Sequence, residues 1–171
     1  MIEAAIAFAL QQAAAPAPPP PPCASEAHAG FDFWVGEWEV YPAGGDRQVA
    51  NSRIERKHRG CAVVESWMPL RGEGGTSLNH YDAATGQWHQ KWVGEGGEAV
   101  EFVGGVTDGR MVLTGTWPGP KPETKHQLIR MTYSVQGDGS VRQYGQASLD
   151  HGLTWGDAFD FIYRRKDGAG K

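Results

Sequence analysis

From residue 36 onward, apolar stretches alternate with clusters of Gly, Asp and Pro every eight to fourteen residues or so. The breaks fall at Gly44-Gly45-Asp46, Arg59-Gly60, Gly72-Glu73-Gly74-Gly75, Ala83-Ala84-Thr85-Gly86, Gly94-Glu95-Gly96-Gly97, Asp108-Gly109, Pro118-Gly119-Pro120, Gly137-Asp138-Gly139 and Asp150-His151-Gly152. Nine breaks predict ten strands. The stretches between them, such as Gln87 to Val93, Arg110 to Trp117, His126 to Val135 and Ala158 to Arg165, are rich in Val, Ile, Thr and aromatics, and none keeps a helical repeat. Helix is expected only as a turn or two near Ala27 to Val35. Short connections make successive strands antiparallel, and a meander with apolar residues on both faces removes its bare edges by closing on itself. The pattern therefore predicts an all-β fold: an antiparallel up-and-down barrel of about ten strands with a short N-terminal helical turn.

One hairpin can be registered residue by residue. A four-residue loop at Ala83 to Gly86 sets Asp82 opposite Gln87, Tyr81 opposite Trp88, His80 opposite His89, Asn79 opposite Gln90 and Ser77 opposite Trp92. Alternation then gathers Ser77, Asn79, Tyr81, Trp88, Gln90 and Trp92 on one face and Leu78, His80, His89 and Lys91 on the other. Exposing Tyr81, Trp88 and Trp92 together would leave a large apolar patch, so that face is expected inside. A loop of even length at Gly94 to Gly97 carries the parity onward, setting Gln90 opposite Glu101 and bringing Glu101 inside, with Thr114 and Thr116 following across Asp108-Gly109. Val100, Phe102, Met111, Leu113 and Trp117 then fall on the opposite face. Elsewhere, Glu65 and Trp67 share a face, as do Arg130 and Thr132, and parity across Gly137 to Gly139 adds Gln143 to the latter.

Such an interior is aromatic but polar. A dry core disfavours Asn79, Gln90 and Glu101 at inward positions, because each unpaired buried polar group costs a few kcal/mol, roughly. A solvated or ligand-filled cavity accounts for them better. On this reading Arg130 lies in the lumen, paired with Glu65 or Glu101, and captures the acidic or polar head of a ligand whose apolar part meets Trp67, Trp88 and Trp92. The plainer alternative leaves Arg130 and Glu65 on the solvated outer face.

Length and composition narrow the classes. At 171 residues the chain has room for one domain. A net charge of -4, spread without long like-charge runs, excludes an obvious phosphate-binding surface, so nucleic acid is not expected as a partner. Residues 1–15, with an apolar run from Ala4 to Leu10 followed by Ala13 to Ala15, read as an export signal; the run is too short to span a bilayer. Residues 16–26 read as a Pro-rich linker, 27–166 as the barrel and 167–171 as a disordered tail. The competing reading of the N-terminus is a Pro-rich extension on a cytoplasmic protein. Cys23 and Cys61 either form a disulfide, worth about 4 kcal/mol at most in an oxidising compartment, or are unrelated thiols.

Catalytic and metal motifs are sparse. No Gly-x-Ser-x-Gly occurs; Gly75-Thr76-Ser77-Leu78-Asn79 fails at its last position. His80 and His89 sit opposite each other but lack a third ligand, so no metal is expected.

Several segments carry resemblances. Gly36-Glu37-Trp38, after Phe31-Asp32-Phe33-Trp34, resembles the Gly-x-Trp opening of lipocalins and related calycin barrels, where an Arg of the last strand stacks on the Trp; Arg164 or Arg165 would take that structural role. FDFWVGEWEV at 31–40, GCAVVESW at 60–67, GTSLNHYDAATGQWHQKWV at 75–93 and VRQYGQASLDHGLTW at 141–155 together resemble an exported bacterial lipocalin-like family. That resemblance implies a calycin-type barrel, export, and a cysteine ahead of the first motif that can pair with Cys61, and implies no established reaction. Nitrobindin-like haem barrels are a more distant likeness, although Glu39-Val40 after Trp38 departs from their glycine-containing continuation. Ser148 to Trp155 resembles the Asp-box of sialidase propellers, a hairpin staple in which Asp150 holds turn amides and Trp155 packs beneath.

These readings converge on a periplasmic or secreted lipocalin-like barrel, monomeric or homodimeric and without a cofactor. It is expected to bind a small amphiphilic or aromatic molecule through Glu65, Trp67, Asn79, Tyr81, Trp88, Gln90, Trp92, Glu101, Arg130, Thr132 and Gln143. The alternatives are a calycin-fold isomerase, hydratase or lyase using buried Glu65 or Glu101, and a haem barrel.

Overall fold

A computed structural model describes residues 21–119 and 121–166. The leader assigned to 1–15, the first part of the linker and the tail at 167–171 lie outside the described residues. Ten strands, β1 (Gly36–Pro42), β2 (Ala50–Lys57), β3 (Ala62–Pro69), β4 (Gly75–Asp82), β5 (Gln87–Gly94), β6 (Ala99–Thr107), β7 (Arg110–Thr116), β8 (Leu128–Val135), β9 (Val141–Ser148) and β10 (Gly156–Arg165), follow one another as a meander. Each pairs antiparallel with its sequence neighbours, and β10 pairs with β1, so the sheet closes into a barrel. Every break read from the sequence separates two strands, and two short 3₁₀ turns, Glu26–Ala29 and Asp32–Trp34, precede β1.

The β4–β5 hairpin has the anticipated register, with Tyr81 opposite Trp88 and Asn79 opposite Gln90. The next hairpin does not. Gln90 pairs with Phe102 and Lys91 with Glu101, one residue away from the expected pairing. The cause is the turn. The Gly94 amide donates to the Glu98 carbonyl at 3.0 Å, the Gly97 amide donates back to Gly94 at 3.1 Å, and Gly97 holds φ +80°, so three residues lie in the loop instead of an even number. An odd loop reverses which face points in. Val100 and Phe102 are therefore buried, Glu101 is exposed and bonded to Lys91 at 3.0 Å, and Met111 and Leu113 replace Thr114 and Thr116 inside.

The β8–β9 turn repeats this geometry. Gln136 donates to Ser140 at 2.8 Å, Gly139 donates to Gln136 at 3.0 Å, and Gly139 has φ +82°. Gln143 consequently pairs with Tyr133, not with the Arg130 and Thr132 side of β8. Ile129, Met131 and Tyr133 are buried, while Arg130 and Thr132 occupy the outer face opposite Thr114 and Val112. There Arg130 bonds Gln146 at 2.8 Å and lies 4.2 Å over the Trp155 ring.

One end of the barrel is plugged. Phe31 and Trp34, both fully buried, enter from the N-terminal turns; Phe31 meets Trp88 and Tyr133 edge-on at 5.1 and 5.3 Å, and Trp34 packs on Tyr133 at 4.9 Å. Each such side chain contributes about 2–3 kcal/mol by leaving water. The Trp88 indole N–H donates to the Ala27 carbonyl at 3.0 Å, joining the plug to β5. A Cys23–Cys61 disulfide ties the start of this segment to the β2–β3 connection at the same end. Next to the plug, Arg165 stacks 4.4 Å from Trp38, filling space that a side chain at Gly36 would occupy, whereas Arg164 lies over Tyr41 at 4.2 Å. Arg165 thus takes the stacking role offered to either arginine.

At the other end, Asp150 accepts from the Thr154 amide at 2.8 Å, Ser148 Oγ accepts from the Gly152 amide at 2.8 Å, and Trp155 donates to the Gly152 carbonyl at 3.0 Å. The donors around Asp150 lower its carboxyl to about 2, which keeps this staple ionised at ordinary pH. No helix among the described residues is long and apolar enough to cross a membrane.

Candidate functional site

Inward positions of seven consecutive or neighbouring strands place polar side chains at one level of the lumen, and they close a ring of hydrogen bonds. Ser77 Oγ donates to Glu65 Oε2 at 3.0 Å, and Asn79 Nδ2 donates to Ser77 Oγ at 3.1 Å and to the Val63 carbonyl at 2.9 Å. Gln90 Nε2 donates to Asn79 Oδ1 at 2.7 Å and to the Tyr133 hydroxyl at 3.3 Å. Gln143 Nε2 donates to Tyr133 at 3.0 Å, and the Tyr163 hydroxyl donates to Gln143 Oε1 at 2.7 Å. Tyr163 also stands 3.4 Å from Glu65 Oε1, which completes the circuit, and Ser52 Oγ adds a bond of 3.0 Å to the same oxygen. Buried polar groups are stable when paired in this way, and a closed network fixes every rotamer in it.

Burial sets the electrostatics. It pushes the Glu65 carboxyl up to about 7, against the lowering effect of the Ser52, Ser77 and Tyr163 hydroxyls. Burial also raises the Tyr133 and Tyr163 hydroxyls, and the Glu65 carboxylate raises both further, so both phenols stay protonated.

Beyond the ring, on the side away from the plug, lies a cavity of about 280 Å³. Glu65, Gln90, Tyr133, Gln143 and Tyr163 form its floor; Trp67, Trp92, Phe102, Trp117, Met131, Phe159 and Phe161 form its walls. The aromatic walls are tied to one another. Trp67 meets Phe161 at 5.7 Å, Phe161 stacks on Phe159 at 5.7 Å, and Trp92 faces Trp117 at 6.3 Å. Phe159 rests directly over Gly145, where an added Cβ would come within 2.3 Å of the ring. At the rim Trp92 Nε1 donates to Glu98 Oε1 at 3.3 Å.

Of the eleven residues expected in the lumen, Glu65, Trp67, Gln90, Trp92 and Gln143 line the cavity. Asn79 points inward but is spent within the ring. Tyr81 and Trp88 also face inward, at the plugged end: Tyr81 packs on His28 at 5.1 Å and Trp88 on Phe31. Glu101, Arg130 and Thr132 are on the outer face, so no arginine reaches Glu65 and the expected capture of an acidic head by Arg130 is overturned. Sequence reasoning passed over Tyr133, Tyr163, Met131, Phe159 and Phe161, and set Phe102 and Trp117 on the face away from the lumen, whereas both line the cavity. The signal was available in the apolar alternation Ile129, Met131, Tyr133 and Phe159, Phe161, Tyr163, which outweighs a parity carried through loops of unknown length.

None of the six histidines lines the cavity, so the donor set offers no imidazole to a haem there. His80 and His89 stack at 5.2 Å on the outer face, and no group of three metal-binding side chains occurs among the described residues. No family model and no curated protein matches the chain.

Proposed function

We propose that the protein is a binding barrel for a small aromatic or amphiphilic molecule. One observation carries this reading: the lumen is solid with aromatic packing on one side of the hydrogen-bonded ring and hollow on the other, with indole and phenyl walls over a polar floor. Ligand sites commonly combine apolar walls with a few fixed polar anchors. The floor supplies those anchors in set positions, because each belongs to the ring, and the walls supply the burial that drives binding. The Cys23–Cys61 bridge supports an oxidising location, in keeping with a secreted or periplasmic protein.

A thermal-shift screen of small aromatic compounds against the wild type and Trp67→Ala tests the reading. Guests of the lumen raise the wild-type Tm and lose most of that effect in the variant. Shifts of equal size in both proteins contradict a lumenal site.

A second reading, catalysis, is favoured by the Glu65 carboxyl, which titrates at about 7 on the floor of the cavity. A carboxyl poised near neutrality can take a proton from a guest and return it elsewhere, as an isomerase or lyase requires. Under that reading Glu65→Gln abolishes conversion of a bound compound while leaving it bound; under simple carriage no conversion occurs in either protein.

A further inference from the structure

We propose that the guest of this lumen carries a cationic or strongly hydrogen-bond-donating nitrogen, of the arylalkylamine class, seated against Glu65 and enclosed by the aromatic walls. The inference rests on the binding reading above and specifies its ligand.

Among the described residues Glu65 is the one carboxylic acid on the cavity surface, and no Lys, Arg or His lines the cavity with it. The groups facing that carboxyl from the neighbouring strands are the Ser52 and Ser77 hydroxyls and the Tyr163 hydroxyl, and Tyr133 lies across the floor. All are neutral. A buried carboxylate without a counter-charge is unfavourable, so a positive charge that no cavity-lining side chain supplies would be favoured at Glu65. An anionic guest would meet Glu65 with like charge. An ammonium turns the isolated acid into a pair, and the ring offers further acceptors: Gln90 Oε1 forms none of the ring's bonds, since Gln90 engages Asn79 and Tyr133 through Nε2.

The walls point the same way. Trp67 packs on both Phe161 and Tyr163, and Tyr163 itself reaches Glu65, so a nitrogen at the floor lies close to several π faces. Cations are attracted to such faces, most strongly where water is excluded. An aromatic or alkyl tail then extends toward Trp92 and Trp117. At the rim Glu98, held by Trp92 Nε1, adds negative charge on the way in.

The test uses three compounds of one size: phenethylamine, 2-phenylethanol and phenylacetate, titrated into the disulfide-bonded protein and followed by calorimetry. The amine is expected to bind at pH 8.5 at least tenfold more tightly than the alcohol, and the phenylacetate more weakly than either. Because an ammonium must displace the proton of a carboxyl that titrates at about 7, amine affinity at pH 5.5 should be about thirtyfold weaker than at pH 8.5. The alcohol should show no such change. Glu65→Gln removes both the amine preference and its pH dependence; should that variant fail to fold, the wild-type pH comparison still decides. Equal affinity for amine and alcohol, or preference for phenylacetate, overturns the inference and leaves the binding reading standing. Saturable binding of none of the three also overturns it, while the thermal-shift screen judges the lumen separately.

Discussion

The Tyr163 hydroxyl donates to Gln143 Oε1 at 2.7 Å while standing 3.4 Å from Glu65 Oε1, so one phenol on the last strand joins the acid of β3 to the amide of β9. Removing it opens the ring between Glu65, which is buried, and Gln143, which is half-buried at the cavity floor. Tyr163→Phe is expected to cost about 1–3 kcal/mol in denaturant unfolding, the range for stranding a buried polar partner. It should also raise the Glu65 carboxyl further, because one of the three hydroxyls that favour its ionised form is gone.

Glu65 makes stability depend on pH in a direction opposite to most carboxylates. Its folded value is raised from 4.5 to about 7, so the folded state binds the proton more tightly than the unfolded chain. The stabilising contribution of the neutral form is complete below about 4.5 and is lost as pH rises through about 7, by about 3 kcal/mol in all. The difference in unfolding free energy between wild type and Glu65→Gln, measured at several pH values across this window, should follow that slope. A flat difference would show that the acid is not shielded as described.

The Cys23–Cys61 link closes a loop of 38 residues and anchors the segment that delivers Phe31 and Trp34. Chain entropy makes it worth about 4 kcal/mol. Replacing both cysteines by serine is expected to lower stability by up to that amount and to speed hydrogen exchange at Trp34 and Tyr133 more than in the distant β9–β10 hairpin.

Gly145→Ala tests the wall without touching the floor. Its methyl group would collide with the Phe159 ring, which has to tilt into the cavity. Over-packing of this kind costs about 1–3 kcal/mol. Affinity for any lumenal guest should fall, with the Glu65 titration unchanged.

Much of this architecture was legible before any coordinates. The glycine-rich breaks mark all ten strands, and the length of the Ala83 to Gly86 loop sets the β4–β5 register, because an even loop with a terminal glycine leaves little choice. The site was legible only on one side of the barrel. Glu65, Trp67, Gln90 and Trp92 sit on strands whose faces were assigned from their own alternation, whereas Glu101, Arg130 and Thr132 were assigned inward, against the apolar alternation of their own strands. The turns at Gly94 to Gly97 and Gly137 to Gly139 accommodate one residue more or fewer with the same composition, and each such residue exchanges inside for outside. Gln143 reaches the cavity because the β8–β9 turn is odd, so it lies with Tyr133 and not with Arg130. The ring itself has no local signature; it exists only once seven strands bring their polar positions to one level.

Native mass spectrometry of the protein isolated from its own host tests the central claim most directly. A hollow lumen that carries a guest predicts a folded species heavier than the bare chain by one small molecule, reverting to the bare chain on denaturation and absent when Trp67 and Trp92 are replaced by alanine. A folded wild-type protein at the mass of the bare chain, which also takes up no compound from a host extract, would contradict it.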